Sequence, residues 1–375
     1  MAVAAVMAVT ACSSRQEIIV DNPSGADALQ EMASLDASLI EGLTPGEFRI
    51  LDADGNEVPY QLTFNGQLIF PASVKAGQSA AYTIVAGQPA PVDTLVWGRQ
   101  FPERKDDMAW ENDRGAFRAY GPALQQSGER AFGYDIWTKS VPHPVLEKRF
   151  RLDREEKISF HVDHGEGMDV YAVGPTLGGG TAALIDNSGA IVYPYCYESY
   201  EILDNGPLRF TVRLTYGPIT VDTDSAVVEQ RVISLDRGSW LNRTTVTYSG
   251  LTHDATIAPG IVIHDANPEG FTLADGYMAY ADPTQDASNG NGTIFVGIVA
   301  PQSSDFIFQP FDKPVGDAIG HILAPAPYAG GQEYTYYWGS GWEKGGMPDS
   351  ATWNATLAAF GERLKNPLQV SVVRK

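Results

Sequence analysis

Apolar and polar residues alternate with a period of two through much of this chain, most plainly at 208–216 and 242–248. That spacing sends one set of side chains to a core and the other to solvent, and it predicts β-strands. Further strand-like runs lie at 17–20, 48–51, 61–64, 68–70 and 81–85, and again at 148–152, 158–162, 225–233 and 293–299. Asp54-Gly55 and Asn65-Gly66 fall between such runs and predict tight hairpins, because both dipeptides tolerate the positive φ those turns need. Asp186-Asn187-Ser188-Gly189 reads as another turn. Two stretches read as helices. One covers 26–34; the other covers 350–364, where Asp349 or Ser350 can cap and Leu357, Phe360 and Leu364 share a face.

The strands fall into two blocks. Residues 17–90 predict a small β-sandwich domain, with 87–91 (Gly-Gln-Pro-Ala-Pro) as its linker. Residues 95–375 predict one large antiparallel sandwich, since strand follows strand without the regular repeat of a propeller. The fold class expected is therefore all-β, with few short helices. The 38 glycines and 24 prolines suit many turns and short strands, and 43% hydrophobic against 19% charged residues gives ample material for cores.

Net charge is −20, which argues against a nucleic-acid partner, because phosphate backbones demand a basic face. An acidic small substrate is still compatible with local arginines, because salt screens the global field beyond ~10 Å. Residues 1–16 read as a lipoprotein signal and linker: small residues, Ala8-Val9-Thr10-Ala11, precede Cys12 after a short apolar run. Cys12 is expected to carry lipid and hold the protein on a membrane. No Asp follows it, so the expected location is the envelope of a Gram-negative bacterium, as an outer-membrane or periplasmic lipoprotein. The second cysteine, Cys196, is then left without a disulfide partner.

Candidate chemistry concentrates in a few places. Residues 106–122 hold two arginines, Arg114 and Arg118, with Trp110, Tyr120 and several carboxylates. In a strand, Arg114, Arg118 and Tyr120 would line one face, and two guanidinium forks beside a phenol would receive a carboxylate or a sugar. Glu111 and Asp113 read best as partners that hold those arginines. A second cluster, at 161–171, carries His161, Asp163, His164, Glu166, Asp169 and Tyr171 around a Gly-Glu-Gly turn. These residues suit acid–base work, a metal site or simple bracing of the turn. No organic cofactor is called for; a divalent metal on His161, Asp163, His164 and Glu166 is the alternative. Tyr134, Asp135, Trp137 and Lys139 read either as a sugar-stacking platform with a charged end or as a buried aromatic strand. His264 and Trp338 are further candidates for the cleft. Nucleophilic catalysis has little support: no Gly-x-Ser-x-Gly elbow occurs, and Gly178-Gly179-Gly180 lacks the Lys-Ser/Thr of a phosphate loop.

The stretches 110–122, 134–139, 161–171, 206–209 and 233–236 resemble the family called domain of unknown function 4861, and the resemblance covers most of 95–375. It implies a supersandwich similar to that of galactose mutarotases and polysaccharide lyases. It also implies a place in the breakdown of acidic polysaccharides by Bacteroidetes and related bacteria, where some relatives look like oligosaccharide dehydratases. The expected activity is then a carbon–oxygen lyase on uronic-acid-containing oligosaccharides. Such chemistry needs the carboxylate neutralised (Arg114, Arg118), a base for the C5 proton (His164, His161 or Tyr171) and an acid for the leaving oxygen (Tyr120, Tyr134 or a second His). Trp110, Asp135, Trp137, Lys139, His264 and Trp338 would bind the sugar. Two rivals stand beside it: a glycoside hydrolase using Glu111 or Asp113 with Glu166 or Asp169, and a non-catalytic glycan-binding lipoprotein.

Overall fold

A computed structural model describes residues 16–374, so Cys12 and the expected signal lie outside the described residues. The chain is all-β, built from antiparallel sheets with few helices. The described residues divide into two compact units, 16–92 with 366–374, and 93–365.

In the first unit, a five-stranded sheet runs Gln369–Arg374, Gln16–Asp21, Ser79–Ala86, Phe48–Leu51, Glu57–Val58, and a three-stranded sheet runs Ala28–Asp36, Gln67–Val74, Gln61–Leu62. Ile18, Phe48, Ile50, Leu68, Phe70 and Ile84 fill the space between them. Both dipeptide turns close as hairpins: Thr63 N–H donates to Gln67 O at 2.8 Å around Asn65-Gly66, and Asp52 N–H to Asn56 O at 2.9 Å around Asp54-Gly55. Two expectations fail here. The 26–34 stretch is the strand Ala28–Asp36, whose Ala33 and Leu35 enter the core in alternation, so pairing with Gln67–Val74 overrides any local helical preference. The C-terminal strand Gln369–Arg374, assigned from sequence to the larger domain, pairs instead with Gln16–Asp21 in this unit.

The second unit packs a nine-stranded sheet and a six-stranded sheet on a shared core, with a four-stranded sheet joining that core. The four-stranded sheet, Asp135–Trp137, Ala116–Ala119, Asp107–Glu111, Trp97–Phe101, carries much of the chemistry. One face, with Met108, Trp110, Phe117 and Ile136, enters the main core. The glycine run is what permits this packing. A Cβ on Gly180 would stand 2.7 Å from Trp338 Cβ, and one on Gly178 would stand 2.4 Å from Tyr134 O. The helix Ser350–Lys365 covers the nine-stranded sheet with Trp353 and Leu357, and the Asp349 carboxylate accepts from Thr352 N–H at 2.7 Å at its start.

The runs 148–152 and 158–162 are not strands. Leu146–Arg151 is an α-helix that continues as one wide turn through Leu152–Glu156, and 157–162 is a loop. Leu146, Arg149 and Phe150 are buried at i, i+3 and i+4, a helical period that the alternating Lys148-Arg149-Phe150-Arg151-Leu152 letters conceal. Phe150 anchors the helix, its ring 4.4 Å from Phe101, 5.0 Å from Trp137 and 5.8 Å from Phe160.

Candidate active site

Strand register builds the site. Arg118 lies directly opposite Asp135 on one side and Ala109 on the other, so Asp107, two residues before Ala109, stands on the same face. Trp137, on that face as well, bridges backbone to backbone with Asp169. The result is one buried arginine among three buried carboxylates. Arg118 Nη2 is 2.6 Å from Asp135 and 3.2 Å from Asp169, and its Nε is 3.7 Å from Asp107. Its guanidinium also lies over the rings of Tyr120 and Trp137, at 5.0 and 5.3 Å.

Three carboxylates cannot all ionise comfortably around one cation out of water. Burial pushes Asp107 up to about 6 and Asp135 up to about 7, in spite of the Arg118 charge that opposes the shift. Asp169 is raised for the same reason. Asp135 and Asp169 share a single guanidinium nitrogen and so titrate as a pair. Burial lifts the phenols of Tyr120 and Tyr171 well above their ordinary value, with Asp135 adding to it at Tyr120 and Asp282 at Tyr171. Both tyrosines therefore keep their protons. The Tyr171 hydroxyl and Arg118 Nη1 are buried and have no hydrogen-bond partner among the described residues.

Two histidines flank the cluster. His161, exposed, holds Asp169 O at 2.7 Å through Nδ1, which is also 3.8 Å from the Asp169 carboxylate. His264, buried, holds Asp282 at 2.7 Å through Nδ1, and its ring lies 6.1 Å from that of Tyr171. Burial alone would lower the His264 value, but the Asp282 hydrogen bond and charge outweigh it, and the net shift is upward.

The structure thus brings together Arg118, Tyr120, Asp135, Trp137, Asp169 and Tyr171, with His161 and His264 at the flanks. It leaves other candidates apart. Arg114 sits exposed on the 112–115 turn, its guanidinium 5.0 Å over Trp240, so it does not share a face with Arg118. Trp110, Tyr134 and Trp338 are core residues. Tyr134 stacks on Trp338 at 4.1 Å, and Trp110 donates through Nε1 to Asn242 Oδ1 at 2.8 Å, so none offers a ring for a sugar. His164 is exposed and meets Ser159 O at 3.1 Å. Glu166 pairs with Lys148 and His143, at 2.9 and 3.1 Å. Among the described residues, no three His, Cys, Asp or Glu side chains group closely enough to hold a metal ion, so the set His161, Asp163, His164 and Glu166 does not converge.

Glu111 and Asp113 hold neither arginine. Glu111 is fully buried and satisfied: it takes Lys139 Nζ at 2.7 Å, Trp97 Nε1 at 2.9 Å and the backbone N–H groups of Val145 and Leu146 at 2.9 Å. It anchors the start of the Leu146–Arg151 helix and fixes Lys139 away from any cleft. Asp113 accepts from Gly238 N–H at 2.6 Å. Cys196 is a free, buried thiol that burial pushes up to about 12, which rules it out as a nucleophile at neutral pH. Asp107 and Asp282 are the functional candidates that sequence reading missed. Asp107 was hidden at the start of its strand, and no pattern linked Asp282 to His264, eighteen residues earlier.

The family described as a domain of unknown function (DUF4861) matches residues 20–370, and the chain belongs to it. A curated relative, "Uncharacterized protein P7" of Formosa agariphila, is 29% identical over 293 residues, covering 75% of this chain and 71% of the relative. Two solved structures from Enterococcus faecalis are also similar. One, described as a protein in the glycosyl hydrolase family 38, has a TM-score of 0.49 at 8% identity over 97% of this chain and 48% of that one. The other, an alpha-mannosidase from strain V583, has a TM-score of 0.46 at 9% identity, covering 96% and 46%. The chain spans about half the length of these two solved proteins.

Proposed function

We propose that this protein is a carbohydrate-active enzyme, a carbon–oxygen lyase of the dehydratase or polysaccharide-lyase kind acting on uronic-acid-containing oligosaccharides. The observation that carries the reading is the buried Asp135–Asp169 pair on one Arg118 nitrogen, beside the unpartnered Tyr171 hydroxyl. A carboxylate raised above its ordinary range is a stronger base, and a phenol that keeps its proton is an acid. Asp169 takes the C5 proton; the C4–O bond breaks as Tyr171 protonates the leaving oxygen; a C4=C5 double bond forms, with water or a shortened sugar released. His161 returns the Asp169 proton to solvent, and His264 with Asp282 resupplies Tyr171. Arg118 orders the carboxylates. The choice of sugar rests on the resemblance of 110–122, 134–139 and 161–171 to proteins of acidic-polysaccharide degradation.

Purified protein mixed with acidic oligosaccharides should develop the ultraviolet absorbance of a conjugated uronate, with loss of one water or chain cleavage by mass. Reducing sugar released with no such absorbance would mean a hydrolase, and the Asp135–Asp169 pair is the carboxylate couple such an enzyme would use. Binding with no product would mean a glycan-binding protein. The reading includes attachment through a lipid on Cys12 in the envelope of a Gram-negative cell, which mass spectrometry of the amino-terminal peptide from membranes tests.

A further inference from the structure

A hollow lies against the candidate site, between the helix that starts at Leu146 and the 158–167 loop. Ile158, Phe160 and Val162 give it an apolar side, and Lys148, His164 and Glu166 give it a polar edge. Phe160 joins the hollow to the Arg118 cluster. Its carbonyl accepts from Asp169 N–H at 2.9 Å, and its ring lies 4.8 Å from Trp137 and 4.6 Å from His161. A saccharide with one ring at Asp169 therefore has its next ring beside the hollow.

The two walls are tied together without any ligand. Arg149 Nη1 donates to Thr138 O at 3.1 Å, and its Nη2 donates to Glu166 O, so the helix is lashed to the loop. A Cβ on Gly167 would stand 2.2 Å from Thr138 O, and Gly167 has φ 100°, so only glycine lets the loop come this close. The helix also opens here. It passes into the wide turn Leu152–Glu156, and Ile158 N–H reaches back to Leu152 O at 3.2 Å. Wide turns of this kind recur at functional sites. At the rim, Val162 is 54% exposed, an apolar side chain left in water.

A pyranose has an apolar face and a rim of hydroxyls, so it needs apolar surface beside placed donors and acceptors. The hollow supplies both. Lys148 Nζ meets the two Glu166 oxygens at 3.0 and 2.9 Å, which sets a donor and an acceptor side by side. His164 Nε2 is 3.1 Å from Ser159 O. A carbonyl only accepts, so Nε2 carries the proton and Nδ1 of the neutral ring is an acceptor. We infer that this hollow is a saccharide subsite that holds the sugar ring next to the one that reacts. The inference rests on the lyase reading and deepens it. His164 and Glu166, which stand outside the acid–base cluster, become substrate-binding residues. The charges of Lys148 and Glu166 offset each other, so the subsite reads ring hydroxyls and not an acid group.

The test is calorimetric binding of glucuronate and of glucuronate-containing oligosaccharides of two, three and four sugars. The parent, Val162→Asp and His164→Ala are compared; both altered residues are exposed, so the variants keep the fold. Affinity of the parent should rise with length by roughly tenfold or more, the worth of a couple of hydrogen bonds. His164→Ala should take back roughly threefold of that gain. Val162→Asp should take back most of it, because a charge would be desolvated against the ring's apolar face. Neither variant should change binding of glucuronate itself. The His164 ring resonances of the parent should shift with the tetrasaccharide and stay in place with glucuronate. A parent whose affinity does not change with length overturns the inference and leaves the lyase reading standing. Variants that match the parent at every length, or that weaken every length equally, overturn it too. A parent that binds none of these sugars overturns the lyase reading as well.

Discussion

Arg118 and Asp135 face each other in direct cross-strand register and meet at 2.6 Å with both side chains buried. The pair is therefore set by the sheet itself, and the other two carboxylates arrive from the neighbouring strand and from the 161–171 loop. Removing the cation should be far worse than removing any one anion. Arg118→Met is expected to cost about 3–5 kcal/mol, as breaking a buried ion pair does, because it strands several carboxyls. Asp135→Asn should cost nothing at neutral pH, because the amide stands in for the protonated carboxyl that burial favours. Urea unfolding of both variants against the parent measures it.

The same crowding sets a pH dependence. Asp107 and Asp135 have folded values of about 6 and about 7, above the ordinary 3.8. Between those limits the folded state holds more protons than the unfolded one, so their contribution to stability is full at low pH and is lost as pH rises through 6 to 7. Asp135→Asn should remove part of this slope. Melting temperatures of parent and variant from pH 4.5 to 8 should converge at the acidic end and separate at the basic end, with the variant the more stable there.

Glu111 and Lys139 form another buried pair, at 2.7 Å. Either single change, Glu111→Gln or Lys139→Met, is expected to cost several kcal/mol by orphaning the partner. The loss in the double variant should be well below the sum, because the partners act as one unit. Glu111→Gln should also loosen the Leu146–Arg151 helix, seen as faster amide exchange at Leu146 and its neighbours.

His264 should titrate above an ordinary histidine because Asp282 stabilises its charged form against the cost of burial. Asp282→Asn removes the opposing charge and leaves burial in control. The imidazole resonance should then move below the ordinary value. An unchanged His264 titration in Asp282→Asn would show that the pair is not coupled.

Much of the architecture was legible in the letters. Alternation at 208–216 and 242–248, and the hairpin dipeptides, follow from local geometry, and the structure repeats them. The failures share a cause. At 26–34 a strand partner forty residues away decided the conformation, and at 148–152 an alternation of charge and apolar residues masked a helical stripe. In the site, the sequence marked Arg118, Tyr120, Asp169 and Tyr171 because they crowd into two short runs. It could not separate them from Arg114, Trp110 or Glu111 in the same run. Which side of a strand meets the core, and which carboxylate finds a lysine, depends on register across strands, and register is not written in any one of them. Asp107 and Asp282 have no local signature; only the assembled sheets bring Asp107 to Arg118 and Asp282 to His264.

Whether Asp169 accepts the proton of an elimination is decided by comparing the parent with Asp169→Asn. Turnover of a glucuronate-containing oligosaccharide is followed by ultraviolet absorbance and mass, and binding by calorimetry. An unsaturated product is expected from the parent, with a fall in rate of about 100-fold or more in Asp169→Asn and affinity kept within a few-fold. A parent that forms no unsaturated product, or an Asp169→Asn variant that turns over as the parent does, would contradict it.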